Sequence, residues 1–289
     1  MNSVVLIVLD GFGTAPSGPG NAIKLANPSN INYLLQKFPN TQLSASGDAV
    51  GLPSSEVGNT EVGHINMGAG RIVQQDLPRI NIAISDGSFY KNESLLKASA
   101  HVKKTGGSLH LIGLVSKGVV HSSIEHLYAL LFFAKQQELT NVFVHAITDG
   151  RDSPPKSAIE SIKPLEEKMK QLRVGKIATV LGRYYAMDRD RRWERVTIGS
   201  NQIADTAVKA VQAAYDNNLT DEFIAPTNIV TPGHGPTLIK TGDAVVYFNY
   251  RIDRPRELTK AFVLDDFQKE ANISSTLNSE SFNPPFQRG

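Results

Sequence analysis

Short apolar runs rich in Val, Ile and Leu recur at residues 4–9, 109–115, 142–147, 177–181 and 244–250. They lack strict alternation of apolar and polar positions, the pattern expected of strands buried on both faces of a parallel sheet. Between them the period lengthens to that of a helix. Ile124, Leu127, Leu131 and Ala134 follow Ser122 and Ser123, and Val208, Val211 and Tyr215 follow Asp205 and Thr206, which places capping residues before each helix. Ile162, Leu165, Met169 and Leu172 share a third helical face, where Pro164 requires a helix start or a kink. Alternating strand and helix signals predict an α/β fold.

Residues 15–87 read differently. Gly, Ser, Asn and Pro are frequent and periodicity is weak, which predicts long functional loops around one or two helices and a domain boundary near residues 75–90. The 289 residues exceed the usual size of one domain, so two compact units are expected. From Asn272 to Gly289 the chain is polar, contains Pro284 and Pro285, and shows no closing strand or helix.

Composition narrows the function classes. With 40% hydrophobic and 20% charged residues the chain can build a core. Thirty basic against 28 acidic residues give a formal charge of +2, too small to attract nucleic acid or an anionic membrane surface over the whole molecule, so any anion site must be local. The absence of cysteine excludes disulfides, zinc–thiolate sites and thiol nucleophiles. The run at 4–9 has no basic stretch before it and ends in Asp10 rather than a cleavage site, and no later apolar stretch approaches the ~20 residues of a membrane span. A soluble cytoplasmic protein is expected, with no nucleic-acid and no membrane partner.

Two constellations carry chemistry. Asp10 follows a predicted buried strand and precedes Gly11-Phe12-Gly13, so its carboxylate is expected at the carboxyl edge of a sheet, where it reads either as a ligand for a hard divalent cation or as ordinary turn chemistry. Thr60, in the stretch Gly58–Arg71, precedes a segment of helical propensity; it reads as an N-cap or as a hydroxyl among free N–H groups that stabilise a phosphoryl group. His64 reads as a structural histidine. The second constellation is His121, Arg151, Asp152, Arg183 and Arg251, each just beyond a predicted strand and therefore expected to converge on one crevice. Several guanidiniums aimed at one place imply an anionic ligand, because their repulsion is otherwise uncompensated. Residues 183–193 hold Arg183, Arg189, Arg191 and Arg192, which read either as a solvated charged surface or as part of that site. Arg251 and Arg254 face the same way if a helix begins there, with an ion pair to Asp253 as the competing account.

Asp10-Gly11-Phe12-Gly13 together with Gly58-Asn59-Thr60-Glu61-Val62-Gly63-His64 resembles the cofactor-independent phosphoglycerate mutases, relatives of alkaline phosphatase, over residues 1 to about 265. The resemblance implies an incomplete alkaline-phosphatase-like domain, residues 1–75, with an inserted α/β transferase domain, residues 76–289. It implies that Asp10 and Thr60 bind metal, with two divalent ions, manganese by family habit, and that the hydroxyl of the motif becomes phosphorylated. The family carries serine there; Thr60 keeps the hydroxyl and adds a methyl group that restricts χ1. It further implies that His121, Arg151, Asp152, Arg183, Arg189, Arg251 and Arg254 bind phosphoglycerate, with Asp152 taking the acceptor proton while 3-phosphoglycerate and 2-phosphoglycerate interconvert.

In that family the remaining metal ligands and a substrate lysine belong to a C-terminal part. None of His64, His101, His110, His121, His126, His145 and His234 lies in a late Asp/His cluster. The chain therefore reads as C-terminally truncated and of little or no activity alone: a truncated product, a fragment, or half of a split enzyme whose partner is a separate C-terminal half. Rival readings are a metal-dependent phosphomonoesterase of the same superfamily and a noncatalytic phosphoglycerate-binding module.

Overall fold

Four of the five apolar runs become neighbouring strands in the computed structural model, which describes residues 3–196, 200, 202–231 and 233–264. The polar segment Asn272–Gly289 lies outside the described residues. The chain divides into two compact units, Met1–Arg79 and Ile80–Gly289.

The second unit holds one six-stranded sheet of order β4-β5-β3-β2-β1-β6. Its strands are β1 (Leu109–Leu114), β2 (Val142–Thr148), β3 (Lys176–Gly182), β4 (Gln202–Ala204), β5 (Thr227–Ile229) and β6 (Ala244–Tyr247). The four strands foreseen from apolar runs are mutually parallel, with β1 flanked by β2 and β6. β5 runs antiparallel to β3 and carries β4 beside it, so the sheet is mixed rather than wholly parallel. β6 stops at Tyr247, before the end of the apolar run; just beyond it the Asn249 side chain accepts the Leu114 N–H at 2.9 Å in place of a further strand residue.

Each face of the sheet has its own core. Leu109, Leu111, Val142, Val144 and Val180 pack on helices α5 (Glu93–Thr105), α6 (Ile124–Gln136), α7 (Ile159–Leu172) and α10 (Ala207–Asp216). Ile112, Leu114, Ile147 and Leu181 point the other way, toward Ala186, Met187, Ile239 and Leu258 from α8 (Arg183–Ala186), α11 (Pro255–Val263) and the segments beside them. Burial on both faces is why these strands read as continuous apolar runs. Thr206 caps α10 by accepting the Lys209 N–H at 3.2 Å, as its position predicts. Ser123 occupies the N-cap of α6 without a side-chain cap, while the Ser122 hydroxyl donates to the Leu114 carbonyl. Pro164 neither starts nor ends α7, which begins at Ile159 and runs through it.

The first unit has the long loops expected, but around more than the one or two helices foreseen. It contains α1 (Ala22–Ala26), α2 (Ser29–Lys37), α3 (Thr60–Ala69) and the start of α4 (Asp76–Asp86), with a small cluster of Val50, Leu52 and Val62. The strand expected over residues 4–9 does not form: Val4 is 92% and Ile7 75% exposed. A buried strand needs hydrogen-bonded neighbours, and among the described residues no strand lies in this unit. Further along the same unit, Leu25, Leu34, Leu35 and Phe38 are also exposed.

Candidate functional site

The carboxyl ends of β1, β2, β3 and β6 share one edge, and the loops leaving them hold the charged residues singled out in the sequence. β2 leads into Asp149-Gly150-Arg151-Asp152. Gly150 adopts φ +77°, and a Cβ there would approach the Glu222 N at 2.9 Å, so both the turn and its close packing require glycine. The turn folds around Asp149, which accepts the N–H of Asp152 at 3.0 Å and of Arg151 at 3.2 Å, and the Ser116 hydroxyl at 2.8 Å.

Arg183, the first residue after β3, is buried and donates through Nη1 to Asp149 and Asp152, each at 2.6 Å. Burial alone would raise the Asp149 carboxyl, but these hydrogen bonds hold it below the usual range. Burial would likewise depress the Arg183 guanidinium, and the Asp152 and Asp149 carboxylates reverse that. His121 sits between two carboxylates, with Nε2 3.7 Å from Asp152 and Nδ1 3.9 Å from Asp253. Burial, reinforced by Arg183, lowers its pKa, so it is neutral at physiological pH. Asp253 accepts Arg189 Nη1 at 2.9 Å and lies 3.4 Å from Arg251 Nε. Burial pushes its carboxyl up, but Arg189 and Arg251 outweigh this and hold it low.

A cavity of about 330 Å³ opens here, lined by Arg151, Arg183, Arg189 and Arg254 together with Tyr184 and Glu222. Burial first, and then Arg183, Arg189 and Arg151, lower the pKa of the Arg254 guanidinium, as expected where four cations line one cavity. Arg254 Nη1 donates to the Met187 carbonyl at 2.9 Å, and among the described residues it pairs with no carboxylate. Buried atoms His121 Nδ1, Asp253 Oδ1 and Arg254 Nε have no hydrogen-bond partner within the protein. Such atoms are costly, about 1–3 kcal/mol each, unless something completes them.

Two expectations need correction. Repulsion between guanidiniums does not by itself demand a ligand, because Asp149, Asp152, Asp253 and, at 3.6 Å from Arg151, Glu222 offset most of it. Arg251 and Arg254 do not share a helix face either. α11 begins at Pro255, whose fixed φ suits a first helical position, and the two arginines lie before it. The competing ion pair of Arg251 with Asp253 is the one observed.

Sequence reasoning passed over Asp149, Asp253 and Glu222 as site residues. Asp149 had a readable signal, an Asp-Gly immediately after a strand, the same feature that drew attention to Asp10. A larger cavity, about 870 Å³, lies at the opposite sheet edge and includes Lys170, Arg173 and Lys176. Lys170 and Arg173 belong to the C-terminal end of α7, where the helix dipole already favours cations.

In the first unit, Thr60 opens α3 but does not cap it. The cap is Asn59, whose side chain accepts the Val62 N–H at 3.0 Å. The Thr60 hydroxyl is left to donate to Asp10, 3.0 and 3.2 Å from the two carboxylate oxygens. His64 Nδ1 lies 2.8 Å from the Thr60 carbonyl, a structural contact. Carboxylate and hydroxyl oxygens suit a hard cation, but such ions take about six oxygen ligands. Among the described residues no group of three or more His, Asp or Glu could hold a metal, so Asp10 and Thr60 do not make a complete site. Nor, among those residues, is any helix long and apolar enough to cross a membrane.

Comparison with known proteins places the chain in a family. A family model described as "BPG-independent PGAM N-terminus (iPGM_N)" matches residues 80–282. The chain is 54% identical over 265 residues to a 2,3-bisphosphoglycerate-independent phosphoglycerate mutase of Clostridium beijerinckii, covering 89% of this chain and 52% of that protein. A protein of the same name from Moorella thermoacetica is 49% identical over 271 residues, 91% of this chain and 53% of its own length. A crystal structure of Leishmania mexicana phosphoglycerate mutase, determined at low cobalt concentration, superposes with a TM-score of 0.70 at 31% identity, over 89% of this chain and 49% of that one. This chain thus spans about half the length of the curated relatives it matches. It belongs to the BPG-independent phosphoglycerate mutase family, in the part that the family's N-terminal model describes.

Proposed function

We propose that the chain supplies the phosphoglycerate-binding half and the phosphoryl-accepting hydroxyl of a 2,3-bisphosphoglycerate-independent phosphoglycerate mutase acting in the cytoplasm. The observation that carries this is the cavity lined by Arg151, Arg183, Arg189 and Arg254, because a small dianionic metabolite answers both its excess positive charge and the unpartnered Arg254 Nε. Arg254 and Arg189 would bind the substrate's anionic ends, while Arg183, held by Asp149 and Asp152, keeps the floor rigid. Asp152 would accept the proton of the receiving hydroxyl, and neutral His121 and Arg251 would fix the glycerate while it reorients.

Thr60 would receive the phosphoryl group, its hydroxyl oriented by Asp10. Metal ions, manganese by resemblance, would lower the pKa of that hydroxyl when bound. Asp10 and Thr60 supply only part of their ligands, and the part of the family's length that this chain does not span would supply the others.

The test is a product assay with 3-phosphoglycerate and manganese. It uses the 289-residue chain alone and mixed with the remaining half of the Clostridium beijerinckii relative. The reading expects 2-phosphoglycerate from the mixture, little from the chain alone, and none from the mixture with Thr60→Ala. Phosphate release exceeding isomerisation would replace it with a phosphomonoesterase. Turnover by the chain alone at the rate of a full-length enzyme would refute the division of labour.

A further inference from the structure

Arg189 lies in the segment 187–192 between α8 and α9 (Trp193–Val196), a stretch without regular structure whose backbone N–H groups must find acceptors elsewhere. Two buried carboxyl groups provide them. Asp188 Oδ2 accepts the N–H of Asp190 at 3.0 Å and of Arg192 at 2.9 Å, while its Oδ1 accepts Arg195 Nη1 at 3.2 Å. Glu257 Oε1, reaching from α11, accepts the N–H of Arg191 at 2.8 Å. Arg191 sits at φ 60°, a left-handed conformation that costs a non-glycine residue energy and persists only where the surroundings fix it. Three successive N–H groups beside Arg189 are thus anchored by one pair of acids.

The pair itself is unbalanced as two anions. Asp188 and Glu257 are 4% and 6% exposed, and they hold alternate N–H groups of the same short stretch, Asp190 and Arg192 on one and Arg191 on the other. Glu257 Oε2 is buried and accepts from no donor. A carboxylate pair in that position has an oxygen with nothing to accept and a neighbouring anion to repel it. A protonated Glu257 has an Oε2–H to donate, and Asp188 is the acceptor beside it. Burial first, and then Asp188 and Asp190, push the Glu257 carboxyl upward against the Arg191 N–H. The charged groups beside the pair are Asp190, Arg195 and Arg254, whose Nη1 holds the Met187 carbonyl at the start of the same segment.

We propose that Glu257 is a positioning residue, sharing one proton with Asp188 to form a carboxyl clamp that fixes residues 188–192 and so sets where Arg189 meets the ligand of the arginine cavity. The last clause rests on the proposed function; the clamp does not. Losing the proton turns the clamp into two facing anions and frees the segment, so the clamp holds at low pH and opens as pH rises through the raised Glu257 value.

Trp193, the chain's single tryptophan, follows this segment directly and lies in α9, which packs against α11. Its fluorescence therefore reports the clamp without any ligand. In the full 289-residue chain, Trp193 emission should change in one step as pH rises from mildly acidic values. Glu257→Gln, which accepts from Arg191 and donates to Asp188 at every pH, should remove the step and keep the low-pH emission. Glu257→Ala should show altered emission throughout. Infrared spectra at mildly acidic pH should contain a protonated-carboxyl band that is missing in E257Q. By calorimetry, E257A should bind 3-phosphoglycerate about tenfold more weakly than wild type and E257Q within about twofold. A step that survives in E257Q, a wild-type spectrum without the band, or an E257Q that behaves as E257A would each overturn the proposal. Failure of the wild-type chain to bind 3-phosphoglycerate would instead remove the proposed function, and the fluorescence and infrared results would still decide the clamp.

Discussion

Asp149→Asn tests the foundation of the arginine cavity. The Asp149 and Arg183 side chains are 1% and 3% exposed and 2.6 Å apart, so solvent screens their attraction little. The substitution keeps an acceptor for the Arg151 and Asp152 N–H groups but sets a neutral amide against a buried guanidinium. Removing one partner of a buried pair costs about 3–5 kcal/mol. Asp152 remains as a second partner of Arg183, which places D149N near the lower end, about 3 kcal/mol. D149A also removes three further hydrogen bonds and should cost more, whereas Ser116→Ala, losing one bond to the same carboxylate, should cost about 1.5 kcal/mol. Urea unfolding followed by circular dichroism measures these differences, and 3-phosphoglycerate affinity should fall in parallel. Because the Asp149 carboxyl is held below its ordinary value of 3.8, its contribution is complete above that value and is lost only as pH falls through the lower folded one. A D149N penalty below about 1 kcal/mol would refute the reasoning, since no buried pair of this kind is broken so cheaply.

Gly150→Ala should cost about 2 kcal/mol or more and weaken ligand binding, because φ +77° is strained for alanine and its Cβ meets the Glu222 N; unfolding and calorimetry on the same variant check both. His126 is buried, bonds Asn81 at 2.8 Å, and has its pKa pushed down by burial to about 4. Its folded value is depressed, so the stability it secures is complete above its ordinary 6.5 and is lost as pH falls toward about 4, by about 3 kcal/mol in all. His126→Gln should flatten the stability profile in that window by one proton's worth of slope.

The inner strands were legible because burial on both faces leaves an unbroken apolar run, and β1, β2 and β3 appear within a residue or so of where Leu109, Val142 and Ile177 place them. The same signal misled at residues 4–9, because an apolar run records fitness for burial and not the presence of partner strands in that unit. β4 and β5, three residues each, are too short to leave a pattern. Within the site, residues just after strands were found by position alone. The carboxylates that organise them were mostly not: Asp253 was legible only as a partner of Arg251, and Glu222 and Glu257 resemble any solvated acid until the fold brings Arg151 and the Arg191 N–H against them. Thr60 was ambiguous for a related reason. Asn59 and Thr60 are both competent caps, and only the backbone at Asn59 decides which one is used.

The central claim is that the carboxyl-edge cavity holds a phosphorylated three-carbon acid, and calorimetric titration of 3-phosphoglycerate into the 289-residue chain tests it most directly. Saturable one-to-one binding, lost in Arg254→Ala and Arg151→Ala, retained when metal is chelated, and much weaker for glycerate without its phosphate is the predicted result. No saturable binding, or binding indifferent to both arginine substitutions, would contradict the account.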